Sequence, residues 1–180
     1  GVMLSRIDKI LQIEDLRKNL SISARKDVLT GLWNRKHLED EVERFLDENG
    51  QKAVFMIMDV DNFKQINDTH GHIMGDAVLE CIGRILQSSV GPRDIAARIG
   101  GDEFIILMPR ITEQVHAEKK VKKILAEFPI MLKSEDGQKE IEISLSIGVV
   151  FSKAGERIDY EEMYRRADVY SSHQAPQRFF

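Results

Sequence analysis

The sequence has little cysteine and no long apolar run. Its one cysteine, Cys81, excludes an internal disulfide framework and a cysteine-rich zinc site, and it fits a reducing compartment. No apolar stretch reaches the roughly 18 residues that a membrane-spanning helix requires, and no signal-peptide pattern opens the chain. We therefore expect a cytoplasmic fragment that makes no membrane contact.

A surplus of basic charge is also absent. The 26 Lys and Arg residues are outnumbered by 30 Asp and Glu residues, which gives a formal net charge of -4. Proteins that bind nucleic acid polymers through their surface usually carry a basic patch, so the charge balance argues against such a partner. Any phosphate ligand would have to be held by a local site. With 180 residues, 42% of them hydrophobic, the chain can bury the core of one domain but is too short for two full ones.

Residues 1–26 have a helical pattern. Apolar residues recur there at spacings of three and four among charged ones, as in an amphipathic helix: Leu4, Ile7, Leu11, Ile13, Leu16 and Leu20. The phase shifts between Leu11 and Ile13, so the apolar positions do not form a strict heptad stripe. Two interpretations are equally supported: a helix that packs on its own domain, or a dimerising stalk that continues an upstream sensory domain.

From residue 27 onward, strand and helix patterns alternate. Helices are predicted over 36–49, 75–88 and 113–128, with a last helix over 160–167. Strands are predicted over 53–60 and 141–151, and a β-hairpin is predicted over 95–99 and 102–108 around Gly100 and Gly101. This order predicts an α/β domain whose mixed, partly antiparallel sheet is flanked by helices.

Acidic residues follow or begin the strands at two places. Asp59 and Asp61 come at the end of the apolar segment VFMIM, and their spacing places both carboxylates on one side of an extended chain. Asp102 and Glu103 follow the Gly-Gly turn and begin the next strand. If the hairpin pairs beside the 53–60 strand, these acidic groups converge, and such oxygen ligands suit Mg²⁺ bridging to substrate phosphates. The alternative interpretation is a pair of solvated turns.

Candidate nucleotide-binding residues follow the first acidic pair. Asn62, Phe63 and Lys64 lie where a loop leaving the strand would offer free backbone N–H groups, with Lys64 adding a charge. Taken alone, Lys64 is better explained as a surface lysine. Farther on, the amide of Asn67 and the carboxylate of Asp76 could together bind the Watson–Crick edge of guanine. Asp76 could equally be placed near a helix N-terminus, where the helix dipole favours it.

Other chemistries lack their motifs. His70 and His72 have no further Cys or His at zinc-ligand spacing, so a turn or packing role is favoured for them. The sequence has no Ser-His-Asp arrangement, no Walker phosphate-binding loop and no G-x-G-x-x-G fingerprint. Ordinary hydrolase and Rossmann-type functions therefore have no support.

Four segments resemble, in the same order, the motifs of GGDEF domains, the diguanylate cyclases. They are DVLTGLWNR at 27–35, DVDNFKQINDTHGHIMGD at 59–76, RIGGDEF at 98–104 and SLSIGVV at 144–150. The resemblance implies a palm-like mixed sheet of the nucleotidyl cyclase and ferredoxin-like type. It divides the chain into an N-terminal linker or stalk helix at 1–26 and a GGDEF catalytic domain at 27–180.

The resemblance also implies a reaction and its residues. Two GTP molecules would be condensed to cyclic di-GMP and two pyrophosphates, the 3′-OH of one GTP attacking the α-phosphate of the other across a homodimer. Asp59, the carbonyl of Val60 and Asp102 would hold Mg²⁺, with Mn²⁺ as a second candidate, and Asp102 or Glu103 would take the 3′-OH proton. The remaining roles follow the same motifs: Asn62, Phe63 and Lys64 for phosphates, Asn67 and Asp76 for guanine, and Gly100 and Gly101 for a close approach of the turn to the nucleotide.

The sequence departs from the family pattern at two places. The family's inhibitory product site reads R-x-x-D, whereas here Gly91 stands in place of the arginine and Asp94 is kept, so we expect weak or absent product feedback. Arg93 is a candidate substitute from a neighbouring position. The C-terminal motif, at 167–178, is two residues shorter than the family pattern. His173 and Gln177 stand near the places of a lysine and an arginine that contact triphosphate, and Arg178 is a candidate replacement.

These departures keep a second hypothesis open. The alternative to an active cyclase is a degenerate GGDEF domain that binds GTP and acts as a signalling or scaffold module without turnover. A pure product receptor is a weaker alternative, because Gly91 removes the arginine from the product site.

Overall fold

The structure is a computed structural model of the 180-residue chain. It describes residues 9–14, 16, 22–47, 52–111, 113–134, 137, 140–152, 161, 162 and 164–166. The helices are α1 (Arg35–Asp47), α2 (Phe63–His70), α3 (His72–Ser89) and α4 (Gln114–Leu125). The strands are β1 (Trp33–Asn34), β2 (Val54–Val60), β3 (Ile95–Gly100), β4 (Glu103–Met108), β5 (Ile130–Lys133), β6 (Glu140–Ile143) and β7 (Leu145–Phe151).

The main sheet has five strands in the order β1-β3-β4-β2-β7. β1 is parallel to β3, and the other neighbours are antiparallel. A separate two-stranded sheet pairs β5 with β6. The prediction of a mixed sheet flanked by helices is confirmed. The hairpin of β3 and β4 lies directly beside β2, which brings the ends of these three strands to one region of the sheet.

Strand β2 is covered on both faces, as its continuous apolar sequence predicts. On one face Met56 and Met58 pack in a core cluster that includes Leu79 of α3. On the other face Phe55 and Ile57 pack in a second cluster together with side chains of α1. Because Asp59 continues the alternation of Phe55 and Ile57, its side chain lies on the α1 face at the end of the strand.

Two predicted elements differ from the structure. The loop expected after Asp61 is the short helix α2, so Phe63 and Lys64 lie in a first helical turn. The strand expected over 141–151 is two strands, because residues 140–143 pair with β5 and residues 145–151 pair with β2. The chain passes from one sheet to the other at Ser144. The alternation of apolar residues continues through both strands without a break, so the sequence pattern cannot reveal this transition.

The N-terminal helix is described in part. Residues 9–14 and 16 are helical, and Ile10, Leu11, Ile13 and Leu16 each expose at least half of their surface. Their exposure supports a stalk that packs on another chain, which stays a prediction. Leu4, Ile7 and Leu20, and the altered segment at 167–178, lie outside the described residues. Within the described part of the chain, no helix has the length and apolar character needed to cross a membrane.

Candidate functional site

The two acidic strand ends lie side by side. Asp59 of β2 and Glu103 of β4 are direct register partners, and the side chains of directly opposed residues are neighbours on one face of a sheet. The amide N–H of Val60 donates to the carbonyl of Asp102 at 3.3 Å, which extends the contact by one residue beyond the strand. Both Asp59 and Asp102 are half-buried. The register therefore places carboxylates from two separate segments at one edge of the domain.

The turn between β3 and β4 is open to its surroundings. Gly101 has φ +53°, a left-handed conformation that side-chain-bearing residues rarely adopt. A Cβ built at Gly100 or Gly101 would meet no atom within 4 Å. This conformation favours glycine at 101, and the open space beside both glycines could admit a ligand.

Arg98 connects this turn to the beginning of the domain. Its Nε and Nη2 donate to the carbonyl of Gly101 at 3.0 and 2.7 Å, and its Nη1 donates to Asp27 at 3.2 Å. Asp27 also accepts from the amide and the hydroxyl of Thr30, at 2.8 and 2.7 Å. Burial raises the pKa of Asp27, but the hydrogen bonds from Thr30 and the charge of Arg98 outweigh it and hold that pKa below its usual value. Sequence reasoning assigned no role to Asp27 or Arg98.

Asp61 is held by the strand on the other side of β2. The hydroxyls of Ser144 and Ser146 each donate to one of its carboxylate oxygens at 2.6 Å, and its own amide N–H donates to the carbonyl of Ser144 at 3.1 Å. These serines belong to the segment SLSIGVV, which the sequence singled out without a function. The sequence did hold an indication of this contact: two serines separated by one residue in a strand lie on the same face and can bind one acceptor.

The predicted phosphate-binding residues lie where β2 passes into α2. Asn62 adopts φ 56°, and α2 begins immediately afterwards at Phe63. The amide N–H groups of a first helical turn have no acceptor within the helix, so those of Phe63 and Lys64 are suited to bind an anion. Asn62 and Lys64 are exposed and Phe63 is half-buried. Backbone donors and one charged side chain are thus presented next to Asp59 and Asp61 in the sequence.

The predicted guanine-binding residues lie on two consecutive helices that pack together. Asn67 of α2 extends its side chain over Gly75 of α3, where a Cβ would come within 2.0 Å of Asn67 Oδ1. Gly75 therefore leaves the space that the Asn67 amide occupies, directly before the exposed Asp76. Asp76 is the fifth residue of α3 and lies beyond its first turn, so the helix-dipole explanation of this residue is weakened.

The C-terminal part of the chain contributes a residue that sequence reasoning missed. The hydroxyl of Tyr164 donates to Oε1 of Glu103. The ring of Tyr164 packs against the cluster that contains Ile57 and Ile105, the neighbours of Asp59 and Glu103 on the same face. The sequence could not predict this contact, because Tyr164 is a single tyrosine in a predicted helix and lies 61 positions from Glu103.

The segment 91–94, which the sequence predicts to be a degenerate product site, is paired within its own domain. Asp94 accepts the amide N–H of Gly91 at 2.7 Å, and Lys120 of α4 forms an ion pair with the same carboxylate oxygen. Burial, together with the charge of Lys123, lowers the pKa of Lys120. Arg93 is exposed and Asp94 is half-buried. The acidic residue kept from the family pattern therefore has a cationic partner within its own domain.

A divalent cation fits the oxygen donors at the strand ends only as a partly hydrated ion. Among the residues that the structure describes, no three or more His, Cys, Asp or Glu side chains are grouped to hold a metal. The predicted set has two carboxylates, Asp59 and Asp102, and the carbonyl of Val60. Mg²⁺ commonly binds one or two carboxylates and takes its other ligands from water and substrate phosphates, so the donor types agree with this ion.

Comparison with known proteins agrees with this arrangement. The family model described as "Diguanylate cyclase, GGDEF domain" matches residues 24–177. The cyclic di-GMP phosphodiesterase PdeB of Shewanella oneidensis is 36% identical over 160 residues, which are 89% of this chain and 18% of PdeB. The diguanylate cyclase DgcS of the same organism is 33% identical over 156 residues, which are 84% of this chain and 49% of DgcS.

A solved structure shows the same fold over nearly the whole chain. The coiled coil and GGDEF domain of DgcB from Caulobacter crescentus, in complex with c-di-GMP, superposes with a TM-score of 0.79 and 29% identity, covering 95% of this chain and 93% of that one. The chain therefore belongs to the GGDEF domain family. It spans less than half the length of PdeB and about half of DgcS, so the activities of those whole proteins do not transfer to it directly.

Proposed function

We propose that this domain is an active diguanylate cyclase that condenses two GTP to cyclic di-GMP and two pyrophosphates. The observation that carries the proposal is the register pairing of Asp59 with Glu103 beside the open Gly100-Gly101 turn. Carboxylates from two motifs therefore lie beside a turn whose two glycines have open space around them. Membership of the family and the match to DgcS support the same reaction.

The chain's own residues would bind and orient the substrate. The first-turn amides of α2 and the Lys64 ammonium would hold the phosphates, and Asn67 with Asp76 would hold the guanine. A bound Mg²⁺ or Mn²⁺ would neutralise charge on the phosphates, with Asp59, the Val60 carbonyl and Asp102 as its protein ligands. Because Asp102 is assigned to the metal, Glu103 is the group we propose to accept the 3′-OH proton. Catalysis in such a site rests mainly on positioning and electrostatics.

The reaction requires two copies of the domain. A GTP bound to one domain presents its 3′-OH to a GTP bound to another, so we propose a homodimer whose encounter the N-terminal helix controls for an upstream sensory domain. The exposed apolar residues of that helix support this assignment. Because GTP is the substrate, the cytoplasm is the compartment that we propose.

A second candidate is a domain that binds GTP without turnover. The match to PdeB favours it. PdeB is named as a phosphodiesterase, so a domain similar to this chain occurs in a protein that is not named as a cyclase. The shortened C-terminal motif is consistent with this candidate as well.

Incubation with GTP and Mg²⁺, followed by chromatography for cyclic di-GMP, separates the two candidates. The cyclase proposal expects product, at a rate per protomer that rises with protein concentration because two domains must meet. GTP binding by calorimetry without product at high protein concentration would establish the second candidate instead. Omission of the divalent cation should abolish product formation.

Single substitutions test the site assignment in the same assay. Asp59→Ala and Glu103→Ala should abolish turnover while the circular dichroism spectrum is kept, because both residues lie at strand ends outside the two core clusters. Glu80→Ala is the matched control, since this glutamate is exposed and pairs only loosely with Arg84, at 3.8 Å. Full activity in either site variant would overturn the assignment.

A further inference from the structure

Both carboxylate oxygens of Asp61 have a serine hydroxyl as hydrogen-bond donor. Each of its carboxylate oxygens accepts a hydroxyl proton, from Ser144 and from Ser146, at 2.6 Å. This distance is the one expected for a charge-assisted bond between a hydroxyl and a carboxylate. A serine hydroxyl has one proton to give, so both serines commit it to this acceptor.

Three hydrogen bonds hold Asp61 at the end of β2: the two from the serine hydroxyls and one from its own amide. The amide N–H of Asp61 donates to the carbonyl of Ser144, and the preceding amide, that of Val60, donates to Asp102. Asn62 follows in a left-handed conformation, and α2 starts at the next residue. Ser146 is at the same time the register partner of Asp59 across β2 and β7. The side chain of Asp61 therefore attaches the segment from Asp59 to Phe63 at two points, to Ser144 directly before β7 and to Ser146 within it.

We propose that Ser144 and Ser146 are positioning residues of this site and that Asp61 is their anchor rather than a ligand of the metal. By holding Asp61, the two hydroxyls set the direction of the Val60 carbonyl and of the first-turn amides of α2. This inference rests on the proposed function for its kinetic consequences, whereas its structural consequence is independent of the reaction. The segment SLSIGVV thereby acquires a role in the site.

Hydrogen exchange of the ligand-free protein tests the structural part. In Ser144→Ala/Ser146→Ala, the amides of Val60, Asp61 and Ile66, which have backbone acceptors in this segment, should exchange about tenfold faster than in the unaltered chain, because two hydrogen bonds to a charged group are lost. The single variants should each show a smaller increase, and they carry the test if the double variant does not fold. Unchanged exchange in this segment would overturn the inference, whether or not the protein makes cyclic di-GMP.

Ser152→Ala provides the matched control. Ser152 lies just after β7, at the opposite end of the same strand pair, where its hydroxyl oxygen accepts the amide N–H of Ala53 at 2.7 Å in a buried position. Its removal should lower the melting temperature without accelerating exchange at Val60, Asp61 and Ile66. If Ser152→Ala accelerated exchange there as strongly as the double variant, the effect would be a general loss of stability and the inference would fail.

Kinetics tests the functional part. At a temperature where all variants are folded, Ser146→Ala should lower kcat/KM about tenfold and raise the Mg²⁺ concentration required for half-maximal rate, and Ser146→Thr, which keeps a hydroxyl, should restore both. Calorimetry with a non-reacting GTP analogue and Mg²⁺ should show the same weakening. An active parent protein whose Ser146→Ala variant keeps its kcat/KM and metal requirement would refute the inference. If the unaltered protein made no cyclic di-GMP, only the proposed function would be refuted. Hydrogen exchange and calorimetry would still test the positioning role of the two serines.

Discussion

Asp27 and Arg98, which lie 71 positions apart in the chain, form a salt bridge of 3.2 Å. The same guanidinium donates twice to the carbonyl of Gly101, so the segment that opens the domain is joined to the turn between the acidic strands. If the N-terminal helix changes position, we expect it to act on this connection, because the predicted linker at 1–26 ends immediately before Asp27. We therefore propose the connection as a route from the linker to the site.

Arg98→Lys should loosen the turn without removing the charge. A lysine ammonium cannot form the forked contact with Asp27 and Gly101 at the same time. We expect a fall in kcat of about tenfold and a loss of about 1–3 kcal/mol in the free energy of unfolding, since a partly buried charged network is broken. Steady-state kinetics and denaturant unfolding measure the two effects. Arg84→Lys, at an exposed pair on α3, should change neither.

The salt bridge also predicts a dependence of stability on pH. Because the pKa of Asp27 is lowered in the folded state, its contribution to stability is fully present above its ordinary value near 3.8 and is lost as pH falls through the folded value. Asp27→Asn should remove this contribution, so the variant should lose less stability than the parent between neutral pH and acid. Thermal unfolding followed across that range measures the difference. Parallel curves for the two proteins would contradict the prediction.

Tyr164→Phe should change catalysis more than stability. The phenyl ring keeps the packing against the cluster of Ile57 and Ile105, and only the hydroxyl that donates to Glu103 is lost. If this bond orients the proposed proton acceptor, kcat should fall about three- to tenfold while KM for GTP stays unchanged. Tyr164→Leu, which removes the ring as well, should lower the melting temperature further. A Tyr164→Phe variant with the parent's kcat would show that the hydroxyl does not orient Glu103.

The product site should not respond to cyclic di-GMP. Lys120 already neutralises Asp94, and Gly91 supplies a backbone N–H where the family has an arginine side chain. Calorimetry should therefore show no tight binding that depends on Asp94, and added product should not slow the reaction through this site. Lys120→Ala should destabilise the fold by about 1 kcal/mol, because a half-buried carboxylate loses its cationic partner. Tight binding of cyclic di-GMP that Asp94→Ala abolishes would contradict this prediction.

The mixed sheet and the position of the acidic residues at the ends of its strands could be predicted from the sequence, because both follow from local patterns. The apolar segment of β2 and the Gly-Gly turn are visible in neighbouring residues, and the alternation of an extended chain, continued past the end of β2, predicts that Asp59 and Asp61 share a face. The contacts of Arg98, Ser146 and Tyr164 could not be predicted, since each joins segments whose proximity depends on the order of strands in the sheet. The end of the strand before Ser144 was missed for the same reason, because pairing with β5 rather than periodicity decides it.

The contact between α2 and α3 gives the most selective test of guanine recognition. Gly75→Ala places a Cβ 2.0 Å from Asn67 Oδ1, so the amide must leave its present position. We expect KM for GTP to rise about tenfold, and the preference for GTP over ATP, which carries an amino donor in place of the guanine O6 acceptor, to shrink. Gly83→Ala on the same helix is the matched control, because its Cβ would press on Thr30, at 2.8 Å from the side chain and 3.1 Å from the carbonyl, far from Asn67 in the helix. That variant should lose stability and, because Thr30 also donates to Asp27, lower kcat, whereas its KM and its nucleotide preference should be kept. Equal kinetic effects in both variants would mean that Asn67 does not contribute to guanine binding.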